Sequence, residues 1–162
     1  MKSPAYVGYV TKLYRTLIDK YYNNEELVLT ENEIKNLKKL FNREFTNGYL
    51  FNDKDIMNTK TPNHQGIEIG KVIDSNSKYI KIKLIEDDLY QNDGIRFKNA
   101  NQGMMINRLY DQKYLLKSDI SKGNICYLDN KLNIKKNDIL IKTIDNNLIK
   151  ELENYTLKKI DI

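Results

Sequence analysis

In the first third of the chain, apolar residues recur at steps of three and four, the spacing of one helix face. Tyr6, Val10, Leu13 and Leu17 form one such row, and Tyr9, Tyr14, Ile18 and Tyr21 widen it. Ser3 can cap, and Pro4 suits the first helical position, where a missing N–H costs nothing. The pattern predicts a helix over residues 4–22, ended by Tyr21-Tyr22-Asn23-Asn24. A second helix is marked by Thr30-Glu31-Asn32-Glu33, a capping box, with Leu29 and Ile34 placed as a hydrophobic staple. Ile34, Leu37, Leu40 and Phe41 give it an apolar stripe, and it should end near Asn42-Arg43. The expected unit is a helical hairpin with a Tyr/Leu seam.

Thr46-Asn47-Gly48 is a turn signal, followed by the apolar run Tyr49-Leu50-Phe51 and a polar loop that contains Pro62. After that the period switches to two. Ile67 and Ile69 alternate with Glu68 and Gly70, and Tyr79-Ile80-Lys81-Ile82-Lys83-Leu84 alternates more cleanly. Ile95-Arg96-Phe97, Met104-Met105-Ile106, Ile125-Cys126-Tyr127 and Ile139-Leu140-Ile141 follow as short strands separated by Asn, Asp and Gly. Short strands at such spacing predict a small six-stranded β-barrel, closed or nearly closed. Asn147 to Tyr155 is helix-like again, with Leu148, Ile149 and Leu152 on one side. The fold class is therefore α+β and mainly β. It divides into a helical hairpin and connection (1–52), a loop (53–65), a barrel (66–146) and a C-terminal helix and tail (147–162). Two turns echo each other, Asn92-Asp93-Gly94 and Asn137-Asp138-Ile139. In both, an Asn that tolerates positive φ precedes an Asp able to bond nearby amides. This favours turns that aim strands over a metal or catalytic role for Asp93 and Asp138.

At 162 residues with 40% hydrophobic content, the chain can fill a core. It has no apolar stretch of transmembrane length and no signal-peptide core at its start, so the expected location is cytoplasmic, away from membranes. The formal charge of +5 permits contact with RNA or an acidic surface without demanding it. Cys126 is the one cysteine, so no intrachain disulfide, four-thiolate zinc site or iron–sulfur site can form from this chain. It reads as a small buried hydrophobe.

Searches for chemistry give little. There is no Gly-rich phosphate loop, no paired-histidine helix motif and no serine elbow. The adjacent acids Glu25-Glu26 and Glu86-Asp87-Asp88 read as loop groups that face water. His64, in Pro62-Asn63-His64-Gln65-Gly66, is the histidine of the chain and has no second ligand nearby, so it reads as a loop side chain fixing the entry to a strand. Arg43 at a helix end favours the C-terminal dipole. Catalytic, cofactor-binding and metal residues are expected to be none. Asn42, Arg43, Asn63 and His64 are the candidates for substrate or interdomain contact.

Leu40-Phe41-Asn42-Arg43-Glu44-Phe45-Thr46-Asn47-Gly48-Tyr49-Leu50-Phe51 resembles the FNR-x-FT-x-G-[YF]-LF segment of the collagenase-like peptidases of unknown catalytic type, the U thirty-two family. Met57-Asn58, then Pro62 to Gly66, then Ile69-Gly70-Lys71-Val72, continue the resemblance in order. Met1 to Val7 is similar to the family's MKSPEYV, and Lys135 to Asp145 to its KKGD-x-[LV]-x-KT-x-D. Glu44 stands where the family usually has Gly, Gln65 where it often has Arg, and Asn92 and Asn137 where Gly is usual. The resemblance implies the C-terminal region of such an enzyme, with a barrel similar to the second domain of elongation factor Tu. It implies no catalytic residues, because the family's active site lies in an N-terminal (β/α)-barrel domain with a cysteine cluster.

The expected role is thus a non-catalytic substrate-docking or accessory region of a collagenase-like peptidase. Its partner would be the catalytic (β/α)-barrel, in cis or as a separate subunit, with a protein substrate or structured RNA as a further partner. The alternative is an RNA-binding module of a tRNA or rRNA hydroxylation enzyme of the same family. The parent family is known for hydrolase activity, but this chain is expected to have none alone.

Overall fold

In the computed structural model, residues 3–43 and 64–154 are described. The turn at Thr46-Asn47-Gly48, the apolar run at Tyr49-Leu50-Phe51, most of the polar loop including Asn63, and Tyr155 lie outside them.

Helix α1 runs Pro4–Tyr22; Ser3 caps it, with its side chain accepting the Tyr6 N–H, and Pro4 opens the first turn. Helix α2, Glu31–Leu40, starts on a complete capping box: Glu33 N–H donates to Thr30 Oγ1 at 3.2 Å, and Thr30 N–H donates to Glu33 Oε2 at 2.8 Å. The Glu33 carboxyl is held below its usual range by the Thr30 backbone and hydroxyl bonds. The two helices pack as a hairpin, with the Tyr9 hydroxyl donating to Glu33 O at 3.3 Å and Tyr6 edge-on to Phe41 at 5.6 Å.

The strands are β1 (Ile67–Ser75), β2 (Tyr79–Leu84), β3 (Leu89–Tyr90), β4 (Gly94–Phe97), β5 (Gln102–Met105), β6 (Leu109–Tyr110), β7 (Leu116–Lys117), β8 (Asp119–Ile120), β9 (Ile125–Asp129) and β10 (Ile139–Ile144). Helix α3, Asn146–Glu153, follows with Asp145 as its cap. The six predicted strand segments fall in β1, β2, β4, β5, β9 and β10. The structure adds four two-residue strands, and it does not close into a six-stranded ring. An 8-stranded antiparallel sheet, ordered β5-β4-β10-β1-β2-β9-β6-β7, curls into a half-barrel, with β3 and β8 as a separate ladder. Bulges bend β1 at Glu68/Gly70 and Val72/Asp74.

Alternation builds the core. Ile80, Ile82 and Leu84 of β2 have no exposed surface, nor have Cys126 and Leu128 of β9, and Phe97, Ile69 and Leu140 join them. The two Asn-Asp turns are built alike: Asn92 and Asn137 both have φ of 70°, in the left-handed region. Asp138 accepts the N–H groups of Asn99 at 2.8 Å and Ile139 at 2.7 Å. Helix α2 lies against β1 and β10, and α1 packs on α2 and α3.

Candidate docking site

His64 ties three elements together. Its Nδ1 accepts the Asn42 N–H at 2.8 Å, and its Nε2 lies 3.0 Å from Thr143 O and 3.2 Å from Lys39 O. This pattern fits a neutral ring with its proton on Nε2. The ring stacks on Phe41 at 5.7 Å. Asn42 reaches the same loop through Nδ2 to Gly66 O at 2.8 Å, and Gln65 N–H returns to Asn42 O at 2.7 Å. The end of α2, the entry to β1 and the strand β10 therefore meet at His64 and Asn42. Arg43 is exposed, with its guanidinium 5.3 Å from the Phe41 ring centre.

Beneath this junction lies a charge network. Lys142 of β10 follows Leu140 on the core face and has no exposed surface. Its Nζ lies 3.1 Å from Asp87 Oδ2, 3.1 Å from Asp93 Oδ2 and 3.5 Å from Asp145 Oδ2. Lys39 of α2 adds contacts of 2.8 Å to Asp87 and 2.9 Å to Asp145, and Lys35 one of 3.2 Å to Asp87. Asp93 Oδ2 also accepts the Tyr90 N–H, and Asp93 Oδ1 the N–H of Asn146. Asp145 Oδ1 accepts the Leu148 N–H that starts α3. Burial pushes Lys142 down, but Asp93, Asp145 and Asp87 outweigh it and hold the ammonium above its ordinary value. Burial opposes ionisation of Asp87 and Asp145 too, and the lysines overcome it, so both sit below the carboxylate range. At Asp93 burial wins, and its carboxyl is raised.

This corrects the solvated reading of Glu86-Asp87-Asp88: Asp87 turns inward because Lys35, Lys39 and Lys142 wait there. Asp93 aims its strand, as its turn required, but is also one of the carboxylates of this buried network. Lys142 escaped sequence reasoning, although its place two residues after Leu140 marks it as core-facing.

The outer side of α1 is different. Tyr9 and Leu13 are buried, whereas Val7, Tyr14, Ile18, Tyr21 and Tyr22 are exposed, Tyr14 at 66% and Tyr22 at 77%. Their spacing of 7, 14, 18, 21 and 22 places them along one side of the helix, away from its buried seam. The widened apolar face expected from the sequence is thus only half covered. Leu27 and Val28, beyond the helix, are exposed as well.

Cys126 is fully buried, and burial pushes its thiol up to about 12. Among the described residues no group of three or more His, Cys, Asp or Glu could hold a metal ion. No described helix is long and apolar enough to cross a membrane.

No curated protein matches the chain. Two solved structures share part of its shape, both of the C-terminal domain of a Geobacillus thermoleovorans protein assigned to the U32 peptidases. One, a selenomethionine variant, is 12% identical with a TM-score of 0.44 and covers 47% of this chain and 99% of that one. The other is 12% identical with a TM-score of 0.43 and covers 46% and 90%. Residues 1–60, which include both helices of the hairpin, match the family model of peptidase family U32.

Proposed function

We propose that this chain is a non-catalytic accessory region, the C-terminal part, of a U32 peptidase, and that the outer side of α1 docks on the enzyme's catalytic (β/α)-barrel. The barrel is held in the same polypeptide or as a separate subunit. The observation that carries this reading is the exposed row Val7, Tyr14, Ile18, Tyr21 and Tyr22 within the family-matched residues. A contiguous apolar stripe of large side chains on a water-soluble surface marks an interaction site. The junction supports the role mechanically: the buried ion pairs and His64 fix the hairpin to the half-barrel. Whatever grips α1 is then held in a set orientation to the sheet.

The chain has no nucleophile–base pair among its described residues, so its contribution is to hold rather than to cut. Titration calorimetry with a U32 catalytic barrel from the same genome tests this. Binding with a negative heat-capacity change is expected, weakened at least tenfold by Tyr14→Lys with Tyr21→Lys. Failure of the folded wild-type chain to bind overturns the reading, as does clean turnover of gelatin by the chain alone.

A further inference from the structure

One cation of the sheet lacks an acceptor and an acid. Arg96 of β4 stands between Ile95 and Phe97, both core side chains, so alternation turns it to the outer face. It is part-buried there, and its Nε has no hydrogen-bond partner among the described residues. Its Nη2 donates to Gln65 O at 3.4 Å, which is long for an N–H···O bond. None of the ion pairs among the described residues involves it. Folded chains leave few buried donors unpaired, and such a donor calls for an explanation.

The guanidinium lines a cavity of about 470 Å³, and strand register builds that cavity. Glu68 of β1 and Arg96 of β4 both stand opposite Ile141 of β10, so the three side chains form one row on the outer face. Lys98, two residues after Arg96, points the same way and pairs with Glu68 at 2.6 Å. Helix α2 packs on β10, and its C-terminal end brings Lys38 and then Asn42 to the opposite side of the cavity. Ile67 and Ile141 supply apolar surface between the two sides.

We propose that this cavity binds a small organic acid, with its carboxylate seated on the Nε and Nη2 edge of Arg96. The two N–H groups of that edge are parallel and match two coplanar oxygens. A carboxylate is a stronger acceptor than the distant Gln65 carbonyl, so it displaces that contact and supplies Nε with its partner. Lys38 and Lys98 add positive charge. Glu68 in the same wall repels a dianion more than a monoanion, which favours a carboxylate over a phosphate. Ile67 and Ile141 face the carbon skeleton, and the volume suits a ligand of metabolite size. The cavity involves β1, β4, β10 and the end of α2 rather than the outer side of α1, so this proposal and the docking reading fail separately.

The full, isotope-labelled chain is titrated with benzoate, with methyl benzoate as its uncharged counterpart, and with inorganic phosphate and trialanine as other anion sources. NMR reads the Arg96 Nε–H and the amides of Gln65 and Gly66. Saturable shifts of all three with benzoate, and none with the ester, are expected. Arg96→Gln and Arg96→Lys should each weaken benzoate binding at least about tenfold, the loss of a charge-assisted pair that an ammonium cannot replace. Lys98→Gln changes an exposed side chain and leaves the core intact, and it should weaken binding severalfold by freeing Glu68 to repel the ligand. The proposal is overturned if benzoate leaves the three groups unmoved or the ester binds as well as the acid. Phosphate or trialanine binding more tightly than benzoate overturns it too, as does wild-type affinity in Arg96→Lys or Lys98→Gln.

Discussion

A buried ammonium is tolerable only among carboxylates that compensate its lost hydration. Lys142, with three aspartates around it, meets that condition, and its removal leaves those acids facing one another. Lys142→Met should therefore cost about 3–5 kcal/mol in urea unfolding, the range for breaking a buried pair from one side. The pH dependence follows from the directions of shift. Asp87 and Asp145 titrate below the carboxylate range in the fold, so their stabilisation is full above the unfolded value of about 4 and is lost as pH falls through their lowered values. Asp93, raised by burial, acts in the opposite direction, favouring its protonated form. Lys142, raised, contributes below the lysine range and loses its contribution as pH climbs through its raised value. Unfolding followed from pH 7 to pH 2 should show an acid limb, shallower in Asp87→Asn, which should also be less stable at pH 7. Beside this network, Gly66 has φ +63°, and a Cβ there would lie 2.1 Å from Lys142 O. Gly66→Ala should thus lose more than about 1 kcal/mol, with the thermal midpoint as the measure.

At the level of elements, local signals predicted both ends of α1 and the start of α2 because capping chemistry is short-range, whereas α2 stops at Leu40, short of the Asn42-Arg43 end expected. The Thr30/Glu33 box is reciprocal in the structure, and Thr30→Ala should cost about 1 kcal/mol in unfolding free energy. Clean alternation such as Tyr79 to Leu84 predicted β2 for the same reason. Two-residue strands such as β3 and β7 cannot display a period, so they were illegible, and with them the open, curled form of the sheet. The junction was half-legible: Asn42 and His64 could be singled out, but that their bonds converge from α2, β1 and β10 depends on contacts far apart in sequence. Asp87 was misread because adjacent acids on a loop normally stay hydrated, and the lysines that draw it inward belong to α2 and β10.

At the level of the whole molecule, a firm joint and an uncovered helix coexist. α2 is bonded to the half-barrel through Lys39 and His64, whereas the large apolar side chains on the outer side of α1 are exposed among the described residues. The isolated chain should bind a hydrophobic dye and self-associate with rising concentration in sedimentation velocity. Tyr14→Lys with Tyr21→Lys should suppress both without lowering the melting temperature, since neither side chain is buried.

The position of β10 between β1 and β4 has a further consequence for synthesis. The segment that bridges the sheet's two halves, and supplies Lys142 to the aspartates, is made after both β1 and β4. Until Ile139–Ile144 emerges, β1 and β4 lack a common neighbour and Asp93 lacks the Lys142 cation. Assembly of the sheet is thereby deferred until β10 has been made, and a product cut before Ile139 should be cleared by quality-control proteases rather than persist as a shorter domain.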